Sequence, residues 1–274
     1  MDEEIPMNDA DLRRFDEEGC ATIDTPLTGA QIAAASEAFD RLMPPREGRA
    51  RASLTCSYYD PEILDILQHP FFEEAAKRAL RSERVRFFQT AIVTAWPEPD
   101  TPFSFWQHVD IQYPLADFAA RPSRIICSFF LWLTDVNERR APMMFRPGSH
   151  LQLAGYRARQ PELRNAPAAV APTPLERLPD LPYAEPVPLL AKAGQVSVLT
   201  TAAVHGASVN VDDQPRKNLV FTFTDAGTHI GLSPQEAAQK REYDVGLRER
   251  FRPERRHIIT VRARCDGRPN CNRQ

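Results

Sequence analysis

Phe105-Trp106-Gln107-His108-Val109-Asp110 decides how this chain is read. An imidazole and a carboxylate stand two residues apart in an apolar, aromatic setting that predicts a β-strand. Alternate strand residues share a face, so His108 and Asp110 would point the same way. Together they make two-thirds of a facial site for ferrous iron, which needs a second His and leaves positions open.

Outward from that stretch, the chain divides in two. From Val85 to Trp96 the sequence is rich in β-branched and aromatic residues and predicts a strand. Phe103 to Tyr113 is read as the strand carrying the pair. Ile125 to Leu133, apolar but for Ser128, predicts a strand covered on both faces. Met143-Met144-Phe145 is a short strand ending in the Pro147-Gly148-Ser149-His150 turn. Strands resume at Val187–Leu190, Gln195–Thr200 and Leu219–Thr224, with a last candidate at His257–Val261. Between them, residues 151–190 hold eight prolines and little periodicity. They are read as a long irregular insertion, a lid over the site. Tyr156, Arg157 and Arg159 are its candidate substrate contacts.

The first 84 residues read as helices. Asn8 caps one that Gly19 ends, Thr28 and Gln31 form a capping box, and Pro44-Pro45 stops the second. Pro61 opens a third, and a fourth runs from Phe71 to Leu80. The basic connector Arg46 to Arg51 is read as a solvated loop. Ser233-Pro234-Gln235-Glu236 opens a C-terminal helix towards Tyr243. Helices followed by many short strands predict a mainly β protein with flanking helices, a jelly roll in one domain over residues 1–274. In that division 85–225 is the core and 226–274 a C-terminal helix and tail.

Composition limits the alternatives. The 274 residues are 42% hydrophobic and 26% charged, with a net charge of -3 and a pI near 6.1. That balance gives no reason to expect nucleic-acid binding. No apolar run is long enough to span a membrane, and the acidic N-terminus shows no signal peptide. Cys20, Cys56, Cys127, Cys265 and Cys271 are odd in number and contain no CxxC. A disulfide framework and structural zinc are therefore not expected. Cys127 reads as a small buried hydrophobe, and Cys265 and Cys271 as exposed. A reduced, cytoplasmic protein, monomer or homodimer, is the expectation.

His205 is the candidate for the missing ligand. It lies 95 residues after Asp110, so only a fold that returns the chain joins them. Ten residues then separate it from Arg216, which begins a strand after the turn Asp212-Asp213-Gln214-Pro215. A guanidinium there suits bidentate grip of a carboxylate. Along that strand Asn218, Val220, Thr222 and Thr224 share one face, and Leu219, Phe221 and Phe223 the other.

H-x-D, a later His and an Arg after ten residues resemble the Fe(II)/2-oxoglutarate oxygenases. Phe145-Arg146-Pro147-Gly148-Ser149-His150, after Trp132-Leu133-Thr134-Asp135-Val136-Asn137, is similar to the phytanoyl-CoA dioxygenase-like branch. So is His205-Gly206-Ala207-Ser208-Val209-Asn210. The resemblance spans about residues 85–225. It implies a cupin-like double-stranded β-helix, with Fe(II) on His108, Asp110 and His205. It also implies 2-oxoglutarate and O2 as co-substrates, with the far carboxylate of 2-oxoglutarate on Arg216. Gln89 and Phe130 match positions that line the co-substrate. Family members often carry a hydroxyl two residues after the distal His. Here that residue is Ala207, and Ser208 is the candidate substitute. Halogenating members lack the carboxylate, so Asp110 implies hydroxylation of a small molecule, or a desaturating or ring-forming variant. Two other readings stand beside this one. They are a non-oxidative cupin-type metalloenzyme, which Arg216 disfavours, and a binding module with a vestigial metal site.

His150 is read as a packing or hydrogen-bonding turn residue, and His69 as a helix-boundary residue. Phe129, Phe130 and Trp132 read as core, the even-numbered ones able to face the pocket.

Overall fold

The computed structural model describes residues 6–164 and 166–260. In chain order its elements are α1 Asp9–Glu18, β1 Cys20–Ile23, α2 Gly29–Leu42, β2 Arg51–Thr55, α3 Pro61–Leu67 and α4 Pro70–Leu80. Then come β3 Val85–Ala95, β4 His108–Gln112, α5 Leu115–Ala119, β5 Ile126–Trp132, β6 Met143–Phe145 and α6 Ser149–Arg159. The last are β7 Ala169–Pro174, β8 Val187–Leu189, β9 Val196–Thr200, β10 His205–Ala207, β11 Arg216–Asp225 and α7 Pro234–Arg250.

Alternation in the long strands separates two layers of core. On β5, Cys127, Phe129 and Leu131 join the main apolar cluster with α2, α3 and α4. Phe130 and Trp132 face the other way, onto Met143, Phe145 and Leu189. On β11, Leu219, Phe221 and Phe223 are likewise on the helix side, and Val220 on the opposite one. The strands form a six-stranded sheet, β1-β9-β5-β11-β3-β2, and a five-stranded sheet, β7-β4-β10-β6-β8. All pairings are antiparallel. The result is a double-stranded β-helix, with helices on the outer face of the larger sheet. Phe72 of α4 seats those helices. Its ring lies edge-on to Phe221 at 4.9 Å and to Phe129 at 6.0 Å. Lys217, next to the inward Arg216, points out and bonds Asp40 at 2.7 Å and the Ser36 carbonyl at 3.1 Å, tying β11 to α2.

The caps form as expected. The side chains of Asn8, Thr28 and Ser233 each close a capping box, and Gly19 ends α1 in the left-handed region. His69 caps α4, accepting from the Phe71 amide. Helix α7 continues past Tyr243 to Arg250.

Four expectations are corrected. The first 84 residues also contain β1 and β2, short edge strands on opposite ends of the larger sheet. The strand around the opening motif begins only at His108. Residues 103–107 form no strand; they follow β10 and the residue after it through an isolated bridge, Phe105 to Ser208, and the Trp106 amide donating to the Ala207 carbonyl. Residues 151–190 are not irregular. They hold most of α6, then β7 and β8, and β7 pairs with β4 as the edge of the smaller sheet. An edge strand tolerates its prolines, which is why proline count misled there. The segment around His257 is a 3₁₀ helix, Pro253–Ile258, not a strand; Val261, Cys265 and Cys271 lie outside the described residues. Proline at its first turn, where no amide donor is needed, favours that start.

Glu73 anchors that C-terminal turn. Its buried carboxylate meets Arg255 at 2.7 Å, and Lys77 and His257 at 3.0 Å. Burial opposes its ionisation, but His257, Lys77 and Arg255 outweigh that and hold the carboxyl below its usual range. A carboxyl lowered by folding stabilises the protein above its free value, about pH 4.3, and stops doing so as pH falls through the folded value. Glu73→Gln is therefore expected to lower the thermal midpoint at pH 7 and to converge with wild type at acidic pH, as read by melting curves across pH.

Candidate metal and co-substrate site

His108 and Asp110 sit on β4, and His205 opens β10. The two strands pair at one register point, His205 opposite His108. Between them Val109 is fully buried against Leu153, Leu178 and Val204, which forces its neighbours to the other face. The pairing of β4 with β7 shifts between Val109 and Ile111, so Asp110 lies at a bulge, a common device for re-aiming a side chain.

The three side chains converge. One donor atom from each lies within 4.8 Å of the others. His108 Nε2 is 3.0 Å from Asp110 Oδ1, and His205 Nε2 is 3.6 Å from Asp110 Oδ2. The imidazole centroids are 4.7 Å apart. His205 Nδ1–H donates to the Ala203 carbonyl at 2.8 Å, which leaves Nε2 as the free donor toward the centre. Burial lowers the His205 pKa, with repulsion from His108 adding to it against the pull of Asp110. The ring is therefore neutral at pH 7, the form that binds metal. Burial works against the Asp110 charge, but His108 and His205 overcome it and keep the carboxyl below its usual range. Two imidazoles and one carboxylate on one side of a point fit ferrous iron with open positions.

Arg216 is buried on the inner face of the larger sheet. Its Nη1 donates to Asn218 Oδ1, its guanidinium lies 5.7 Å from the Trp132 ring, and its Nε has no partner. Burial, with Arg51 adding repulsion, pushes its pKa down to about 9, so it stays charged at pH 7. Among the described residues no carboxylate pairs with it. A buried, uncompensated cation is costly, and an entering carboxylate relieves that cost. These residues therefore fit both groups, the iron and the far end of 2-oxoglutarate.

The other expected positions divide. Phe130 lies in the apolar layer between the sheets. Gln89 pairs with Thr222 in the strand ladder and its side chain is exposed. Ser208 is buried and its hydroxyl donates to the Pro142 carbonyl at 2.7 Å, so the proton is already used. Arg157 is buried and donates to the carbonyls of Ala166 and Pro167, a structural use rather than a substrate contact. His150 is buried and its Nε2 bonds the Asp16 carbonyl.

Two residues were not read as part of the site: Trp106 was given no role, and Arg51, which opens β2, was read as the end of a solvated loop. Trp106 stacks on His108 with centroids 4.3 Å apart and is 51% exposed. Arg51 stands close enough to Arg216 to perturb it. The alternation Arg51-Ala52-Ser53-Leu54-Thr55 was the available signal for Arg51.

A double-stranded β-helix carrying two His and one Asp at its mouth, with a buried Arg behind, defines a non-haem iron, 2-oxoglutarate-dependent oxygenase. The family model for phytanoyl-CoA dioxygenase matches residues 15–218, and the chain belongs to that family. Among solved structures it resembles the α-ketoglutarate-dependent carbocyclase SnoK from nogalamycin biosynthesis. That match is 20% identical with a TM-score of 0.62, covering 85% of this chain and 90% of that one. It also resembles the epimerase SnoN in complex with Fe3+, α-ketoglutarate and nogalamycin RO, at 20% identity and a TM-score of 0.58, covering 79% and 83%. EctD from S. alaskensis with 2-oxoglutarate and 5-hydroxyectoine matches at 14% identity and a TM-score of 0.57, covering 84% and 80%. A search of curated proteins finds no match. No helix among the described residues is long and apolar enough to cross a membrane.

Gly206 is where the Trp106 backbone comes closest to β10. A Cβ there would lie 1.6 Å from the Trp106 carbonyl oxygen. Gly206→Ala is expected to push the 103–107 segment off β10, costing about 1–3 kcal/mol and weakening metal binding. Denaturant unfolding and calorimetry with Fe(II) under argon check both effects.

Proposed function

We propose that His108, Asp110 and His205 hold the iron, and that Arg216 binds the far carboxylate of 2-oxoglutarate. The substrate is a small molecule, hydroxylated at an unactivated C–H. The observation that carries the reading is Arg216, a buried cation with no anionic partner among the described residues, on the inner face of the larger sheet in the fold that brings the three donors together.

The bound iron, with 2-oxoglutarate and O2, supplies the oxidising power and releases succinate and CO2. The chain supplies geometry and dryness. The Ala203 carbonyl fixes the His205 tautomer and ring plane. Asp110 contributes the negative charge that offsets the cation. Its presence leaves no vacant place for a halide, so hydroxylation is favoured over halogenation. Trp106 covers one face of His108 and limits solvent there. Phe130 and Trp132 make the floor apolar, while Arg216 sets the depth at which the co-substrate rests. The Ser208 proton is taken by Pro142, which leaves the guanidinium as the stronger carboxylate donor. Gln89, exposed on the strand beside β11, would meet an entering ligand, a role its exposure supports. SnoK, described as a carbocyclase, and SnoN, described as an epimerase, support a ring-forming or epimerising variant of the same chemistry.

Asp110→Ala is expected to abolish 2-oxoglutarate turnover while the circular dichroism spectrum and thermal midpoint stay near wild type. Succinate still formed at the wild-type rate would remove Asp110 from the metal site.

A further inference from the structure

β3 lies between β2 and β11, and Arg51 and Arg216 are both in register with Ala95. Residues that share a register position across a sheet share a face. The next residue on each strand confirms the direction. Ala52 packs against the outer core, and Lys217 reaches α2. Both guanidinium groups therefore project from the inner face of the larger sheet.

Arg51 lines a cleft of about 360 Å³ with Ala95, Trp106, Ala207 and Ser208. Trp106 is the residue stacked on His108, so the cleft adjoins the candidate metal site. Arg51 is exposed there and makes no hydrogen bond or ion pair among the described residues. Glu98 lines the same cleft, and its carboxylate stays beyond ion-pair distance of Arg51. Two cations on one face of a sheet, the exposed one close enough to perturb the buried one, repel unless an anion lies between them. The position two residues after His205 offers no hydroxyl, because residue 207 is Ala, and the proton of Ser208 is held by the Pro142 carbonyl.

We propose that Arg51 is a second donor to the far carboxylate of 2-oxoglutarate, opposite Arg216. This rests on the oxygenase reading above. Arg216 holds the carboxylate from the buried side, and Arg51 closes on it from the cleft mouth. Charge-assisted hydrogen bonds of this kind are strong enough for the loss to be read directly in binding.

The test is calorimetric titration of the Fe(II)-loaded protein under argon with two 2-oxo acids. One is 2-oxoglutarate. The other is 2-oxopentanoate, which keeps the keto-acid end and lacks the far carboxylate. Arg51→Gln is expected to weaken 2-oxoglutarate roughly tenfold or more and leave 2-oxopentanoate unchanged. Arg51→Lys is expected to recover part of the loss. Ser53→Ala, further along the same strand, is the control that changes neither. Unchanged 2-oxoglutarate affinity in Arg51→Gln would overturn the proposal, as would equal loss of both ligands. Unaltered binding in Arg51→Gln with tighter 2-oxoglutarate binding in Glu98→Gln would assign Arg51 to Glu98 instead. A wild type that binds iron but neither 2-oxo acid would fail the oxygenase reading itself.

Discussion

The pairing of His205 with His108 across β10 and β4 is the constraint on which the site depends. It is a single register point between two short strands, with a glycine next to it. A one-residue slip in either strand would turn its side chain to the opposite face. The structure protects that point from several directions. Val109 is locked into apolar packing, Gly206 admits the Trp106 backbone, and β7 closes the outer edge of β4. The larger sheet, braced from outside by Phe72 and Lys217, gives the smaller one a fixed surface to fold against.

Charge follows the same division. The outer face carries compensated ions, such as Lys217 with Asp40 and Glu73 with Lys77 and Arg255. Among the described residues of the inner face, Arg216 and Arg51 have no anion to meet. A buried cation left unpaired on the inner face, beside outer charges that are paired, is what the proposed anionic co-substrate would relieve. The neutral His205 and the ionised Asp110 complement this by presenting donors for a divalent cation a short way off.

Much of this was legible from sequence. His108 and Asp110 declared themselves by period-two spacing, Arg216 by the turn before it, and α1, α2 and α7 by capping residues whose chemistry is local. What failed depended on tertiary pairing. β1 and β2 are four and five residues long and gain their hydrogen bonds only from β9 and β3. β7 is an exposed edge strand with two prolines, so it carries neither an apolar run nor a clean alternation. Arg51 was hidden for the same reason. A basic residue that ends a charged connector looks solvated until the neighbouring strand fixes which face it takes. The use of the Ser208 proton by Pro142 was not encoded in any spacing.

The central claim is that one interior site takes iron and then an acid that chelates it. The most direct measurement is the visible absorption of the wild-type protein under argon as Fe(II) and then 2-oxoglutarate are added. The account predicts one iron per chain and a new charge-transfer band that saturates with one 2-oxoglutarate and does not form without iron. Iron binding with no band on adding 2-oxoglutarate, or 2-oxoglutarate binding of equal strength without metal, would contradict it.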